Sequence, residues 1–422
     1  MNISEEIKTR FEKMQTKDDL LDLLNFVRPE VFLDVPFSFT MEQLNKNISY
    51  QSQDTNGLSP ESNPLVALIE KFGAKVYGGR YKTFQIRKKS GSLRTIHAPN
   101  SGLKAILKCI NYIFQAIHTP HKNAFGFVPN KSIVDNARKH EDQNYVYNLD
   151  LKDFFPSVDQ ARVRGRLLVA PFQLDSSPER IKLASILAIL CCHKMDVERW
   201  DETTQTWETK RLNVLPQGAP TSPTITNMIC ERLDIRLTKL AKEHNCKYSR
   251  YADDITFSSM HNVYQKDGTF ITKINDIITS ERFHIQQTKT RLQKRGYRQE
   301  VTGLIVNEKV NVDTRYIKEL RHWLYLWERY GYDKATALFS VKYLQSKGHV
   351  KQGKPKIENV IWGKLEYLKM VKGYNNPLYI KLKERYEQLM SQNIDDILDV
   401  WEKEGIEKAM VLYYQNNKPK VL

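Results

Sequence analysis

Apolar positions draw the first outline of the chain. Ile7, Phe11, Met14, Leu20, Leu21 and Leu24 recur at helical spacing, which predicts helix over roughly residues 1–35, ended by Pro29 and Pro36. Residues 45–63 lose this period. Asn, Gln, Ser and Asp dominate there, with Gly57 and Pro60, and the stretch reads as an exposed linker. From Tyr81 to Pro99 the period becomes two on either side of Ser90-Gly91, the pattern of a basic β-hairpin. Such a hairpin fits a sheet edge protected by lysines. It equally fits a flap over a triphosphate, with Arg94 and Lys88 or Lys89 pairing to phosphates. Leu103–Phe114 returns to helical spacing and puts Lys104 and Lys108 on one face. A loop from Ala124 to Ile133, containing Gly126 and Pro129, then enters a helix carrying Asn136-Ala137-Arg138-Lys139-His140. His140 reads as a capping or core residue without a catalytic role.

An apolar strand from Tyr145 runs into Asp150 and is stopped by Pro156. Alternation turns Asp150 away from the faces of Leu149 and Leu151, while Asp153 falls past the strand and suits a turn cap. Residues 161–193 read as helical, with Ser176, Ser177 and Pro178 at an N-terminus. Val197–Glu208 reads as a surface hairpin with Trp200 packing across to Trp207. Pro216, Gly218 and Pro220 hold Leu215–Pro223 in one irregular shape before a helix through Asn227, Ile229, Leu233 and Leu237. The Gly218 backbone there admits a close neighbour. Lys247–Ser258 places Asp253-Asp254 between two β-prone runs, the signature of a hairpin with an acidic tip. Past residue 305, Asn311-Val312-Asp313 opens a helix through Ile317, Leu320, Trp323, Leu324 and Trp327, interleaved with Arg315, Lys318, Arg321 and Arg329. Further helices rich in basic and aromatic residues follow.

Composition narrows the class. A chain of 422 residues is long enough for two or three packed units, and 41% hydrophobic with 27% charged residues fits a soluble globular protein. A net charge of +16 points to a polyanionic partner, most simply nucleic acid, although a merely basic surface has the same sum. The five cysteines form no CxxC pair, which argues against zinc and fits a reduced cytosolic compartment. The first residues lack the apolar centre of a signal peptide, and no run approaches the ~18 apolar residues of a membrane span. The expectation is a cytoplasmic protein with no membrane partner. Asp253 and Asp254 repel each other in a confined site, and a hard divalent cation such as Mg²⁺ relieves that repulsion through oxygen ligands.

Three elements stand in one order: Asn148-Leu149-Asp150-Leu151-Lys152-Asp153-Phe154-Phe155, Leu215-Pro216-Gln217-Gly218-Ala219-Pro220, and Tyr251-Ala252-Asp253-Asp254. Together they resemble the palm motifs of reverse transcriptases over about residues 80–330. Asn136-Ala137-Arg138-Lys139-His140 is similar to the NAxxH element of retron reverse transcriptases, and Val301-Thr302-Gly303-Leu304 to their VTG element. The chain is thus identified as resembling the bacterial retron-type, defence-associated reverse transcriptases. Its N-terminal extension and its tail beyond about residue 345 make it longer than a minimal retron enzyme.

The resemblance implies an α+β right-hand polymerase. A helical extension and linker would occupy 1–70, fingers 71–145, a palm of antiparallel sheet plus helices 146–305, and a thumb with a helical C-terminal region 306–422. It implies an RNA-directed DNA polymerase that copies a structured noncoding RNA into cDNA from dNTPs. Asp150, Asp253 and Asp254, with the Leu151 backbone carbonyl, would hold two Mg²⁺ ions. Phe155 would lie beneath the incoming sugar and exclude a 2′-hydroxyl. Gln217 and Gly218 would lie along the nucleotide–template pair, and Lys289 near the leaving pyrophosphate, where a general acid, a plain phosphate contact and a solvated surface lysine are equally compatible. Arg94 and Lys104 complete the substrate-binding candidates, and Arg315, Lys318 and Arg321 would follow a template–primer duplex. The setting implied is bacterial antiphage defence, with an effector protein or self-association. The alternatives are a non-retron defence enzyme making repetitive cDNA and an RNA-binding scaffold with an inactive palm; the three carboxylates argue against the second. An intron maturase is disfavoured because no endonuclease-like Cys/His cluster is found in the sequence.

Overall fold

The computed structural model describes residues 2–33, 37–53, 79–87, 91–347, 355–408 and 410–411. The chain divides into two compact units, Met1–Tyr297 and Arg298–Leu422.

The first unit opens with helices α1 (Ile3–Lys13), α2 (Lys17–Val31) and α3 (Met41–Gln53). Asn2 accepts from the Ser4 N–H at the start of α1, and Thr16 and Asp19 form a reciprocal capping box on α2. Each satisfies backbone donors that a helix start leaves open. α2 continues past Pro29 to Val31, because the Phe32 N–H still closes on the Arg28 carbonyl at 2.9 Å. The linker expected at 45–63 is corrected in its first part: α3 extends through Gln53, with Leu44 and Asn47 buried and the Asn47 amide donating to the Gln43 carbonyl. Residues 54–63 lie outside the described residues.

A hairpin of β1 (Tyr81–Arg87) and β2 (Leu93–Pro99) follows, as the alternation predicts; Lys88 and Lys89 fall outside the described residues. Helix α4 (Ser101–Ile117) is capped by Asn100 and buries Leu103, Ile106, Leu107, Ile110, Ile113 and Phe114. This stripe packs against α1 and α2. Burying each such side chain is worth about 1.5–3 kcal/mol, so α4 forms the spine of this end of the unit. A short helix α5 (Ile133–Arg138) leads to strand β3 (Tyr145–Asp150). The helical stretch expected over 161–193, with an N-terminus at Ser176, Ser177 and Pro178, is two helices, α6 (Gln160–Leu168) and α7 (Pro178–Cys191); the second starts where expected, and His193 already begins strand β4 (His193–Asp201). Pro171 interrupts the helical segment, and Ser177 with Pro178 restarts it. β4 pairs with β5 (Thr206–Val214) in a hairpin where Trp200 faces Trp207, ring centroids 5.6 Å apart.

Helices α8 (Ser222–Ile229) and α9 (Glu231–Glu243) come next, then strands β6 (Lys247–Tyr251) and β7 (Asp254–Ser259), helix α10 (Thr269–Ser280) and strand β8 (Arg291–Lys294). The strands form one antiparallel sheet in the order β6-β7-β3-β8. Its buried face carries Leu149 and Leu151 from β3 and the residue after it, and Ile255 and Phe257 come from β7. α9 and α10 pack on each other, and α9 packs on β6.

The second unit begins with a ribbon of β9 (Glu300–Val301) and β10 (Leu304–Ile305). Thr302 and Gly303 between them have φ of 48° and 83°, the doubly left-handed backbone of a tight hairpin turn. Three helical segments follow: α11 (Thr314–Lys347), α12 (Ile357–Lys372) and α13 (Pro377–Glu404). α11 is broken at Gly331, where φ is 76°. Trp323 and Phe339, which a continuous helix would hold about 24 Å apart, meet with centroids 5.0 Å apart, so the helix folds back on itself there. Among the described residues no helix is long and apolar enough to cross a membrane.

Candidate active site

The register of β3 against β7 sets Asp150 opposite Asp254. The Leu151 N–H donates to the Asp253 carbonyl at 3.0 Å, so Asp150 and Asp254 form the non-hydrogen-bonded kind of antiparallel pair. In that arrangement the Cα atoms approach to about 4.5 Å and both side chains leave the same face. Asp253 occupies the turn beside them. Residues a hundred positions apart in sequence are thus brought together by strand pairing alone.

Lys289 joins this group. Its Nζ donates to Asp150 Oδ2 at 2.7 Å, and the backbone of the same turn is fastened by the Gln286 N–H to the Asp150 carbonyl, also 2.7 Å. Burial and the neighbouring Asp150 push the Asp253 carboxyl above the usual range, with Lys289 and Arg94 opposing. Asp254 is an exposed residue overall, and only its carboxyl end lies close against neighbouring protein. Dehydration of that end, followed by repulsion from Asp253 and Asp150, pushes its carboxyl up to about 7. Among the described residues no group of three His, Cys, Asp or Glu side chains is drawn together as a ready-made metal cage. The donor chemistry nevertheless fits a hard cation: three carboxylates share one face or turn, nearby Lys289, Arg94 and Arg291 offset their mutual repulsion only in part, and a cationic ammonium already rests on Asp150.

The hairpin that carries Asp253 and Asp254 is braced from behind by side chains that sequence reading did not single out. Arg250 is fully buried and forms an ion pair with equally buried Asp234, Nη2 to Oδ2 2.6 Å. The same guanidinium donates to Asn227 Oδ1 at 3.1 Å and to the Ala252 carbonyl at 3.1 Å, and Tyr248 donates its hydroxyl to Asp234 at 2.6 Å. Burial opposes the Arg250 charge and Asp234 more than restores it. Asn227 also donates to the Gly126 carbonyl at 2.9 Å, tying the loop before α5 to the hairpin. Ala252 has φ of 59°, a left-handed conformation that glycine takes more readily, and the Arg250 bond holds it there. A Cβ placed on Gly126 would come 2.3 Å from the Ala252 nitrogen, so only glycine fits against this turn. His140, within the Asn136–His140 element, lies between Ser258 Oγ and Ser249 Oγ, 2.7 Å from each. It bridges β6 to β7, in accord with its reading as a core residue. The available signal was a charged residue inside an otherwise buried strand, Arg250, which demands an acidic partner elsewhere.

The other candidates are placed as follows. Phe155 is half-buried and packs at a tilt against Phe127 and Phe154, centroids 6.0 and 5.5 Å away. The Gln217 carbonyl accepts from the His97 N–H at 2.8 Å, which docks the Leu215–Pro220 turn on β2. Gly218 has φ of 128°, and a Cβ there would lie 2.6 Å from the His97 carbonyl oxygen. Arg94 is exposed on β2 and acts electrostatically on Asp253. Lys104 is exposed on the first turn of α4. Arg315, Lys318 and Arg321 lie on an exposed face of α11 in the second unit.

Residues 86–306, just over half of the chain, match the family described as reverse transcriptase (RNA-dependent DNA polymerase). The chain is 37% identical over 241 residues to the retron Mx162 reverse transcriptase of Myxococcus xanthus, covering 54% of this chain and 47% of that one. It is 36% identical over 251 residues to the retron Mx65 reverse transcriptase of the same organism, covering 58% and 55%. These two matches span about half the length of either relative. With the retron Ec86 reverse transcriptase of Escherichia coli it shares 33% identity over 276 residues, 63% of this chain and 76% of that one. The chain belongs to the reverse transcriptase (RNA-dependent DNA polymerase) family, among its bacterial retron-type members.

Proposed function

We propose that this protein is an RNA-directed DNA polymerase that copies a structured noncoding RNA into cDNA, in the manner of a retron enzyme and in antiphage defence. The observation that carries the reading is the register of β3 on β7, which sets Asp150 against Asp254 with Asp253 in the adjoining turn. Family membership and the excess of 16 positive charges support a nucleic-acid substrate.

Asp150, Asp253 and Asp254, with the Leu151 carbonyl, would hold two Mg²⁺ ions. Bound there, such ions supply activation of a primer hydroxyl and neutralisation of a departing pyrophosphate. The protein's own groups do the rest. The Arg250–Asp234 brace keeps the Ala252 turn, and with it Asp253, in one position. Phe155, propped by Phe127 and Phe154, would exclude a 2′-hydroxyl from beneath the incoming sugar. Gln217 and Gly218 present a backbone fixed by His97 along which a base pair can lie. Arg94 on β2 supplies positive charge toward a triphosphate, with Lys104 further out on α4.

The test is template-directed synthesis by the purified protein with Mg²⁺ and dNTPs. The double variant Asp253→Ala, Asp254→Ala is expected to fold and to lose synthesis by at least about a thousandfold, the scale of losing the charge stabilisation at a reacting centre. Synthesis retained by that variant would remove the assignment. Ribonucleotide acceptance in the same assay reads the Phe155 role. Sequencing of co-purified nucleic acid separates covalent RNA–DNA, the retron product, from tandem-repeat cDNA.

A further inference from the structure

We infer that Lys289 is a built-in counter-cation of the carboxylate site, and that a divalent ion binds by displacing it from Asp150. The inference rests on reading the three carboxylates as metal ligands. Its basis is positional. The Asp150 side chain is 10% exposed, and the Lys289 ammonium takes its Oδ2 at 2.7 Å. That oxygen is one of those a divalent ion would need.

The ammonium does not arrive by chance of a long side chain on a loose loop. Its backbone lies in a 3₁₀ turn, Gln287–Lys289, closed by the Lys289 N–H on the Gln286 carbonyl at 3.0 Å. The Gln286 N–H in turn binds the Asp150 carbonyl, and β8, which follows at once, pairs with β3. Strand register therefore delivers Lys289 to Asp150. The Lys289 side chain is 57% exposed on its other side, so it has open water to swing into once displaced. Asp253, Asp254, Arg94 and Arg291 face the same region, so the ammonium and an incoming cation compete for the same negative field. A divalent ion would take oxygens from all three carboxylates; the ammonium hydrogen-bonds Asp150 and acts on the other two only through space. The ion should win, but at an affinity lowered by the displaced pair.

The experiment uses the full chain without nucleic acid or nucleotide. Mn²⁺ is titrated and the free ion followed by electron paramagnetic resonance. Lys289→Met is expected to bind Mn²⁺ about three- to fivefold more tightly than the native protein, the range set by a solvent-exposed ion pair. Lys289→Arg, which keeps a cation on the same turn, should stay near the native affinity. Lys294→Met, on the exposed end of β8, should leave it unchanged. Thermal melting gives a second readout: metal-free Lys289→Met melts below the native protein, and saturating Mn²⁺ closes the gap. Equal or weaker Mn²⁺ binding by Lys289→Met, or a melting gap that persists in Mn²⁺, overturns the inference. If native Mn²⁺ binding disappears in the Asp253→Ala, Asp254→Ala variant yet ignores Lys289→Met, the metal reading stands and the competition does not. If neither the native protein nor Lys289→Met binds Mn²⁺, both fail.

Discussion

His140 is fully buried between two hydroxyls, and burial pulls its pKa down to about 3. It is therefore neutral at ordinary pH, donating to one serine and accepting from the other. Unfolded, it titrates near 6.5. A folded pKa below the unfolded one means that its contribution to stability is complete above about 6.5 and is lost as pH falls toward about 3, because the unfolded chain takes up the proton first. The slope is about 1.4 kcal/mol per pH unit in that window. His140→Gln cannot ionise, so the stability difference between native and variant should be largest at pH 7.5 and shrink through pH 6 and 5 in urea unfolding. Parallel pH profiles would show that His140 does not carry the acid sensitivity. The residue illustrates what was readable at this scale. Asp150, Asp253 and Asp254 each stand in a contiguous motif, so their chemistry showed in the sequence. The serines that flank His140, and Asp234 opposite Arg250, are paired across separate elements, and no local spacing announces them.

Among the elements, the β6–β7 hairpin decides the site. Its turn is held by the Arg250 guanidinium on one side and by the Gly126 backbone on the other. Gly126→Ala would place a methyl group against backbone atoms of Tyr251 and Ala252, which have no rotamer through which to yield. The hairpin tip must shift, and a carboxylate displaced by about 1 Å costs on the order of a hundredfold in rate. The expected result is a protein with native-like helical content by circular dichroism and DNA synthesis reduced about a hundredfold; an unchanged synthesis rate would contradict the close packing. Strands and hairpins such as β1–β2 and β4–β5 were legible because period-two alternation and turn residues act locally. Helix limits were less so. The buried Leu44 and Asn47 carry α3 through a run whose composition reads as linker, and apolar content does not mark where α6 stops or where α7 gives way to β4.

For the molecule as a whole, the excess of 16 positive charges is the property that composition conveyed and local motifs did not. Part of it lies in the second unit, where Arg315, Lys318 and Arg321 project from α11 while Ile317, Leu320 and Leu324 fill the core beneath them. The apolar stripe explains why the helix forms, and the basic face lies on its exposed side. Contact with a phosphate backbone would give that face a function, and it would carry a measurable signature. Each neutralised phosphate releases counter-ions, so replacing Arg315, Lys318 and Arg321 together by Gln should lower affinity for a template–primer duplex to a similar extent for any sequence. It should also flatten the dependence of log affinity on log salt by about 2 to 3. Mn²⁺ binding at the carboxylates of the first unit should be untouched, since those ligands belong to a separately packed sheet. Binding curves for native and triple variant across a salt series give both slopes. Identical slopes would mean that the basic face of α11 serves solubility alone, and that the polyanion is held by other parts of the chain.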